Sequence, residues 1–411
     1  MRRVAVLTVL LLLPLACGGG GGGGGKANVG TIKIGALFPL SGSVASSGQD
    51  ALNGVLLAQE VLNGNYPNID LPKLTVGKVQ VVSADTQGDA QTGASETTRL
   101  IQNEKVVALT GAFQSAVTIT ASQVAERQCV PFVNGSSSST ALTERGYKWF
   151  WRVGPSDKTF AQTYFDWLKS ISSAHPVKKM VVINENDQFG NDGAKVIQQL
   201  AGSAGVNIVD DIVYPFNATD LGSQIQKMRA DQPDAVFVFA FLQDLTLMYR
   251  TMAELNYTPP AMLGFGAGFG DPKFVPNLGT KADYSITRAA WSFEITQKNA
   301  TAKAVADAFK KRFGQDMTEN SARDFEAMYT LGMAIESAGS TDPAKIQAAL
   351  KKTNLTKTIM AWPGIKFGND GQNSEASGII LQMTGGQYHV LFPEKVASAK
   401  VVWPIPPLSG R

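Results

Sequence analysis

The chain has 411 residues, 44% hydrophobic and 17% charged, with a formal net charge of +3, which is too long for one compact core and apolar enough for two or three domains. Basic and acidic residues are interspersed along it, which excludes a basic groove for nucleic acid and a polybasic membrane patch. Cys17, Cys129, His175 and His389 are the only cysteines and histidines. A zinc site draws on three or four such ligands, and these are widely scattered, so no metal or other cofactor is expected.

Arg2 and Arg3 form a short basic start, and Val4 to Leu15 follow, apolar apart from Thr8 and Pro14. That run is too short to span a membrane and fits the apolar region of a signal peptide. Ala16 precedes Cys17, so residues 1–17 resemble a bacterial lipoprotein signal, in which the cysteine becomes the lipidated first residue. Pro14 departs from that pattern, and plain secretion stays open. Gly18 to Gly25 is an unbroken glycine run, read as part of a flexible tether over 18–30. With Cys17 lipidated, Cys129 in "ERQCVPFV" reads as a buried free thiol.

From Thr31 short β-rich runs alternate with amphipathic helices. "TIKIGAL", "KVQVVSAD", "VVALTG" and "VPFVNG" read as strands. Helices fall between them, one through Leu52, Val55, Leu56 and Leu62, one from about Ala90 to Gln102, and one over "AVTITASQVAERQ". The pattern restarts after Gly154 with a helix near Lys158 to Ser170, then the strands "KKMVVINE", "VNIVDDIVY", "DAVFVFAF" and "AMLGF" with helices between. Such alternation predicts βαβ units and parallel sheets with helices on both faces. After a strand near "DYSITRAAW" come helices near Ala300–Arg312, Ser321–Ser337 and Asp342–Lys351, then a hairpin turning at Gly385 and Gly386. The expected fold is α/β: two doubly wound parallel-sheet lobes joined by a hinge of three crossings near 154, 284 and 361. Residues 31–154 and 285–361 form the first lobe, and 155–284 and 362–411 the second.

"IKIGALFPLSGSVASSGQDALNGVLLAQEVLN", "LTGAFQSAVTITASQVAERQCVPFVNGSSSSTALTERGYKWFWRVGPSD" and "NENDQFGNDGAKV" resemble the leucine/isoleucine/valine-binding family of type I periplasmic binding proteins. The resemblance covers nearly the whole chain after the leader. It implies an exported solute-binding protein of an ABC importer, working as a monomer with permease subunits. The lipid anchor would hold it at the membrane, facing the periplasm or the extracellular surface. The expected ligand is a branched-chain amino acid or a related small polar or carboxylate compound. Ligands of open α/β sheets bind at the carboxyl ends of strands, which directs attention to "PLSGS", "GAFQS", "NGSSSST", "NENDQFG", "FLQD" and "GFGAG".

By resemblance Ser115 and Ser138 offer hydroxyls to a ligand carboxylate and Ser136 its backbone, with Gln114 and Ser137 beside them. A helix start at Ser115 would add N–H groups and a favourable dipole. The family's second-lobe aromatic walls map to Phe189 and Phe241, a first-lobe aromatic to Ser47, and the acid that pairs with the ligand ammonium to Gly266. Burying an aromatic face gains roughly 1.5–3 kcal/mol, while burying an unpaired ammonium costs on the order of several kcal/mol. Either Glu185 or Asp244 replaces the missing acid, or the ligand has no ammonium and is an organic acid, an aromatic acid or an amide. A ligand sensor remains the alternative to transport. "GFGAGFG" lacks the G-x-G-x-x-G spacing of a dinucleotide site, and no hydrolase elbow, zinc-protease motif or P-loop occurs, so no enzyme is expected.

Overall fold

The computed structural model describes residues 28–411. The leader, Cys17 and residues 18–27 of the tether lie outside the described residues. The first block runs β1 (Thr31–Phe38), α1 (Ala45–Leu62), β2 (Lys78–Asp85), α2 (Ala90–Gln102), β3 (Ala108–Gly111), α3 (Ser115–Arg127), β4 (Phe132–Asn134), α4 (Ala141–Glu144) and β5 (Phe150–Arg152). The second runs α5 (Asp157–Ile171), β6 (Lys179–Glu185), α6 (Gln188–Ala201), β7 (Asn207–Tyr214), α7 (Gly222–Asp231), β8 (Ala235–Phe239), α8 (Leu242–Glu254), β9 (Met262–Gly264), α9 (Phe274–Leu278) and β10 (Ile286–Ala289). The tail adds α10 (Ala300–Phe313), α11 (Glu319–Ala338), α12 (Pro343–Leu350), β11 (Asn354–Leu355), β12 (Ile365–Lys366), β13 (Ile379–Thr384) and β14 (Gln387–Phe392).

The two lobes are two sheets. The first is all parallel, in the order β2-β1-β3-β4-β5. The second has the order β14-β13-β10-β9-β8-β6-β7, parallel from β10 to β7, with β13 and β14 antiparallel at one side. β8 shows why a continuous apolar run belongs mid-sheet: "AVFVF" is buried at every residue between β9 and β6, covered on both faces. Polar side chains fix the helix starts. Asp89 accepts from the Thr92 N–H, Ser156 from Thr159, Asp187 from Gly190 and Asp342 from Ala344.

The tail helices complete the first lobe. α11 lies along α1, and the buried Asp50 carboxylate on α1 accepts from the Thr318 hydroxyl at 2.5 Å and the Ser321 N–H at 3.1 Å. Approach is so close that a Cβ on Gly54 would sit 2.1 Å from the Ser321 carbonyl oxygen.

Three expectations need correction. β10 was placed with the first lobe, but it pairs with β9 and β13 in the second sheet, so the chain returns to the first lobe only after Ala289. Residues 362–373 were placed with the second lobe, yet Gln372 bridges to Arg152 at the edge of the first sheet, with the Asn373 N–H bonded to the Arg152 carbonyl at 2.9 Å. A β-rich run does not announce its partner, so strand-to-sheet assignment is a tertiary property. Cys129 is half-buried and disulfide-bonded, not a buried free thiol; that expectation assumed that lipid on Cys17 left it without a partner.

Candidate functional site

The strand-end loops of the two sheets face each other across a small cavity. The first lobe contributes Phe113, Ser115, Ser136, Ser138 and, from α11, Arg323. The second contributes Phe189, Phe241, Ala267 and Arg288. Phe113 and Phe241 meet across the lobes with ring centroids 6.0 Å apart, and Phe189 adjoins Phe241 at 5.5 Å.

The serine wall is held from behind. Gln114 is the N-cap of α3, so Ser115 opens the helix and its hydroxyl accepts the Ser139 N–H at 3.3 Å. Arg152, fully buried at the end of β5, donates to the Ser139 carbonyl at 2.6 Å and the Ser137 carbonyl at 3.4 Å, and its Nε bonds Gln372 at 2.6 Å. It therefore sets the path of the serine loop. The Ser136 hydroxyl donates to Asp324. Burial pushes the Asp324 carboxyl up to about 7, against the pull of Ser136 and Arg323. Asp157, behind Ser138, is pushed up to about 6 by burial, opposed by Ser138, Arg288 and Arg152.

Two guanidiniums form the charged part of the wall. Arg288 lies flat on Phe160, its Cζ 3.8 Å from the ring centroid, and pairs with Glu319 at 3.1 Å. Burial lowers its pKa to about 10, with Glu319 resisting the fall, so it is charged at neutral pH. Arg323 reaches the same carboxylate oxygen only at 3.8 Å. Both arginines are buried, yet the Nε of each and Nη1 of Arg323 have no hydrogen-bond partner. Buried donors of this kind are normally satisfied. They are suited to oxygen acceptors of a bound molecule.

The expected site residues divide. Ser115, Ser136, Ser138, Phe189 and Phe241 lie on the cavity wall; Ser47, Gln114, Ser137, Glu185 and Gly266 do not. Ser47 and its neighbour Ser46 donate across the lobes to Asp271, at 2.5 and 2.7 Å. Gln114 caps α3. The Ser137 hydroxyl donates to the Phe113 carbonyl at 2.8 Å and lies 2.6 Å from the Thr118 hydroxyl. Glu185 accepts the Phe241 N–H at 2.5 Å, and Asp244 accepts the Asn217 N–H at 2.9 Å. Burial pushes the Glu185 carboxyl well above its usual range, with the charges of Asp187 and Asp244 adding to the rise. These acids support the loops and do not face the cavity. A Cβ on Gly266 would lie 2.4 Å from Nη1 of Arg288, so the arginine fills the space a side chain there would need.

Phe113, Ala267, Arg288 and Arg323 were not anticipated. Arg288 carried one sequence signal, a cation inside the short apolar strand "SITRAA", and Arg323 another, a cation four residues after Glu319 on one helix.

The periplasmic binding protein family model matches residues 31–387. The chain belongs to that family. Among curated relatives, Leu/Ile/Val-binding protein homolog 7 of Brucella suis biovar 1 (strain 1330) is 26% identical over 387 residues, covering 91% of this chain and 94% of that protein. The Streptococcus pneumoniae branched-chain amino acid transporter substrate binding protein LivJ, solved in complex with isoleucine, superposes with a TM-score of 0.76 at 23% identity, covering 88% of this chain and 100% of that one. A Rhodopseudomonas palustris ABC-transporter solute binding protein, solved in complex with benzoate, gives 0.77 at 19% identity, covering 88% and 95%. Those two likenesses establish the fold. This chain is thus a periplasmic binding protein, of a family that works outside the cytoplasm. Among the described residues no helix is long and apolar enough to cross a membrane, and no group of three or more His, Cys, Asp or Glu could hold a metal ion.

Proposed function

We propose that this binding protein captures a small organic acid in the interlobe cavity and presents it to the permease of an ABC importer. The observation that carries the reading is the wall itself: serine hydroxyls at a helix start, two arginines with unfilled donors, and no carboxylate lining the cavity. Ser115 and Ser138 hold the carboxylate, and Phe113, Phe189 and Phe241 enclose an apolar body. The benzoate-bound relative supports an acid without an ammonium; the isoleucine-bound one supports a carboxylate of similar size. Ligand binding favours the closed arrangement, which is what a permease recognises.

Native mass spectrometry of protein purified without refolding tests the reading. One small acid per chain, released on denaturation, is the expected result. An amine without a carboxyl group, or no binding of any small acid in titration, contradicts it.

Export belongs to the same proposal, and lipid attachment at Cys17 is the alternative to the disulfide at Cys129. With two cysteines in the chain, a lipid thioether at Cys17 and an intrachain disulfide at Cys129 exclude each other. The intact mass of membrane-extracted protein, before and after reduction, decides between them.

A further inference from the structure

This inference deepens the reading just given and rests on it. We infer that Arg288 and Arg323, one from each lobe, form a subsite for a neutral oxygen acceptor beside the ligand carboxylate, and that the ligand is an apolar-tailed acid of the 2-oxo type, not an amino acid.

The argument starts from charge. Every ionisable side chain on the cavity wall is an arginine. The two guanidiniums share a single carboxylate, that of Glu319, at 3.1 and 3.8 Å. The wall itself offers no carboxylate to a ligand ammonium, the nearest acids, Asp157 and Asp324, standing behind Ser138 and Ser136. An amino acid bound here would bury its ammonium beside two guanidiniums, with no carboxylate on the wall to compensate its desolvation.

Hydrogen bonding points the same way. Nε of Arg288 and Nε and Nη1 of Arg323 are buried donors without acceptors. An ammonium brings only donors, whereas a keto oxygen brings two lone pairs and no charge. The rest of the wall is apolar: Phe113, Phe189, Phe241 and Ala267. That surface suits a branched or aromatic tail better than the second carboxylate of a dianion. Gly266 completes the case, because a Cβ there would collide with Arg288 Nη1 at 2.4 Å. An acidic side chain at that position and this arginine arrangement exclude each other.

Matched pairs make the test direct: 4-methyl-2-oxopentanoate against leucine, and phenylpyruvate against phenylalanine, titrated calorimetrically into the full chain after removal of co-purified ligand. Within each pair the tail and carboxylate are constant, and only the ammonium is exchanged for a keto oxygen. The 2-oxo acid of at least one pair is expected to bind about a hundredfold tighter than its amino acid. Arg323→Gln should cut that ratio about tenfold, and Arg323→Lys should cut it less. A loss of folding would lower affinity for both members and leave the ratio unchanged, so the ratio reads the subsite itself. Amino acids binding as tightly as their 2-oxo partners, or a ratio indifferent to Arg323→Gln, overturns the inference and leaves the receptor reading intact. Binding of benzoate but of neither 2-oxo acid also overturns it. Binding of none of the five probes overturns the inference and counts against the receptor reading as well.

Discussion

Ser115 shows how one side chain joins loop geometry to recognition. Its hydroxyl opens α3 and already accepts the Ser139 N–H, so its own proton remains available to a ligand oxygen. Ser115→Ala should weaken binding of the cognate acid about tenfold or more, with the circular dichroism spectrum unchanged; an unaltered affinity would remove Ser115 from the site. Glu326 carries a different prediction. Burial raises its carboxyl from 4.5 to about 7, opposed by the Ile359 N–H and the Thr358 hydroxyl. In the unfolded chain it titrates at the ordinary value. Its contribution to stability is therefore complete below about 4.5 and is lost as pH rises through about 7. Glu326→Gln should gain on the natural protein by about 2 kcal/mol between pH 5 and pH 8, measured by denaturant unfolding, and a constant difference would contradict it. At this scale Ser115, Ser136, Ser138, Phe189 and Phe241, singled out by resemblance, lie on the cavity wall, while Ser47 and Ser137 do not. Arg288 and Arg323 were not legible, because one sits inside a strand and the other on a tail helix that reaches the site only through packing.

At the scale of elements, helices were easier to place than strands. Apolar spacing and caps are local, so α2 was placed at Ala90–Gln102. α11 starts at Glu319, two residues before the expected Ser321, because Thr318 and Ser321 close a capping box. β10 went to the wrong lobe, since "SITRAA" carries no mark of its partner strands. The α1–α11 contact was invisible for a related reason: Gly54 reads as a weak helix residue until Ser321 is found against it. Gly54→Val would drive a side chain into that carbonyl and should destabilise the protein by about 3 kcal/mol, measured by denaturant unfolding. A loss below the error of the measurement would mean that the two helices are less intimate than described.

At the scale of the whole molecule, closure rests on a few polar latches around the cavity. Ser46 and Ser47 reach Asp271, Ser139 reaches Asp192, and Arg288 reaches Glu319, each pair joining the two lobes. Asp271→Ala removes two of these bonds at once. The open arrangement should then gain population, which raises the radius of gyration of the ligand-free protein in small-angle scattering and weakens ligand binding about tenfold. Saturating ligand should restore the compact form. Two lobes and their alternating chemistry were readable from strand and helix order alone. The return points of the chain were not, because they depend on which sheet edge receives each late segment.

The central claim is that the lobes close on a small acid whose carboxylate meets Ser115 and Ser138 and whose second oxygen meets Arg288 and Arg323. A crystal structure of the protein with its co-purified ligand tests it most directly. The account predicts density in that cavity with a carboxylate on the serines and an acceptor oxygen within hydrogen-bond distance of at least one of the two guanidiniums. A ligand nitrogen cation at the arginines, or a ligand bound outside the interlobe cavity, would contradict it.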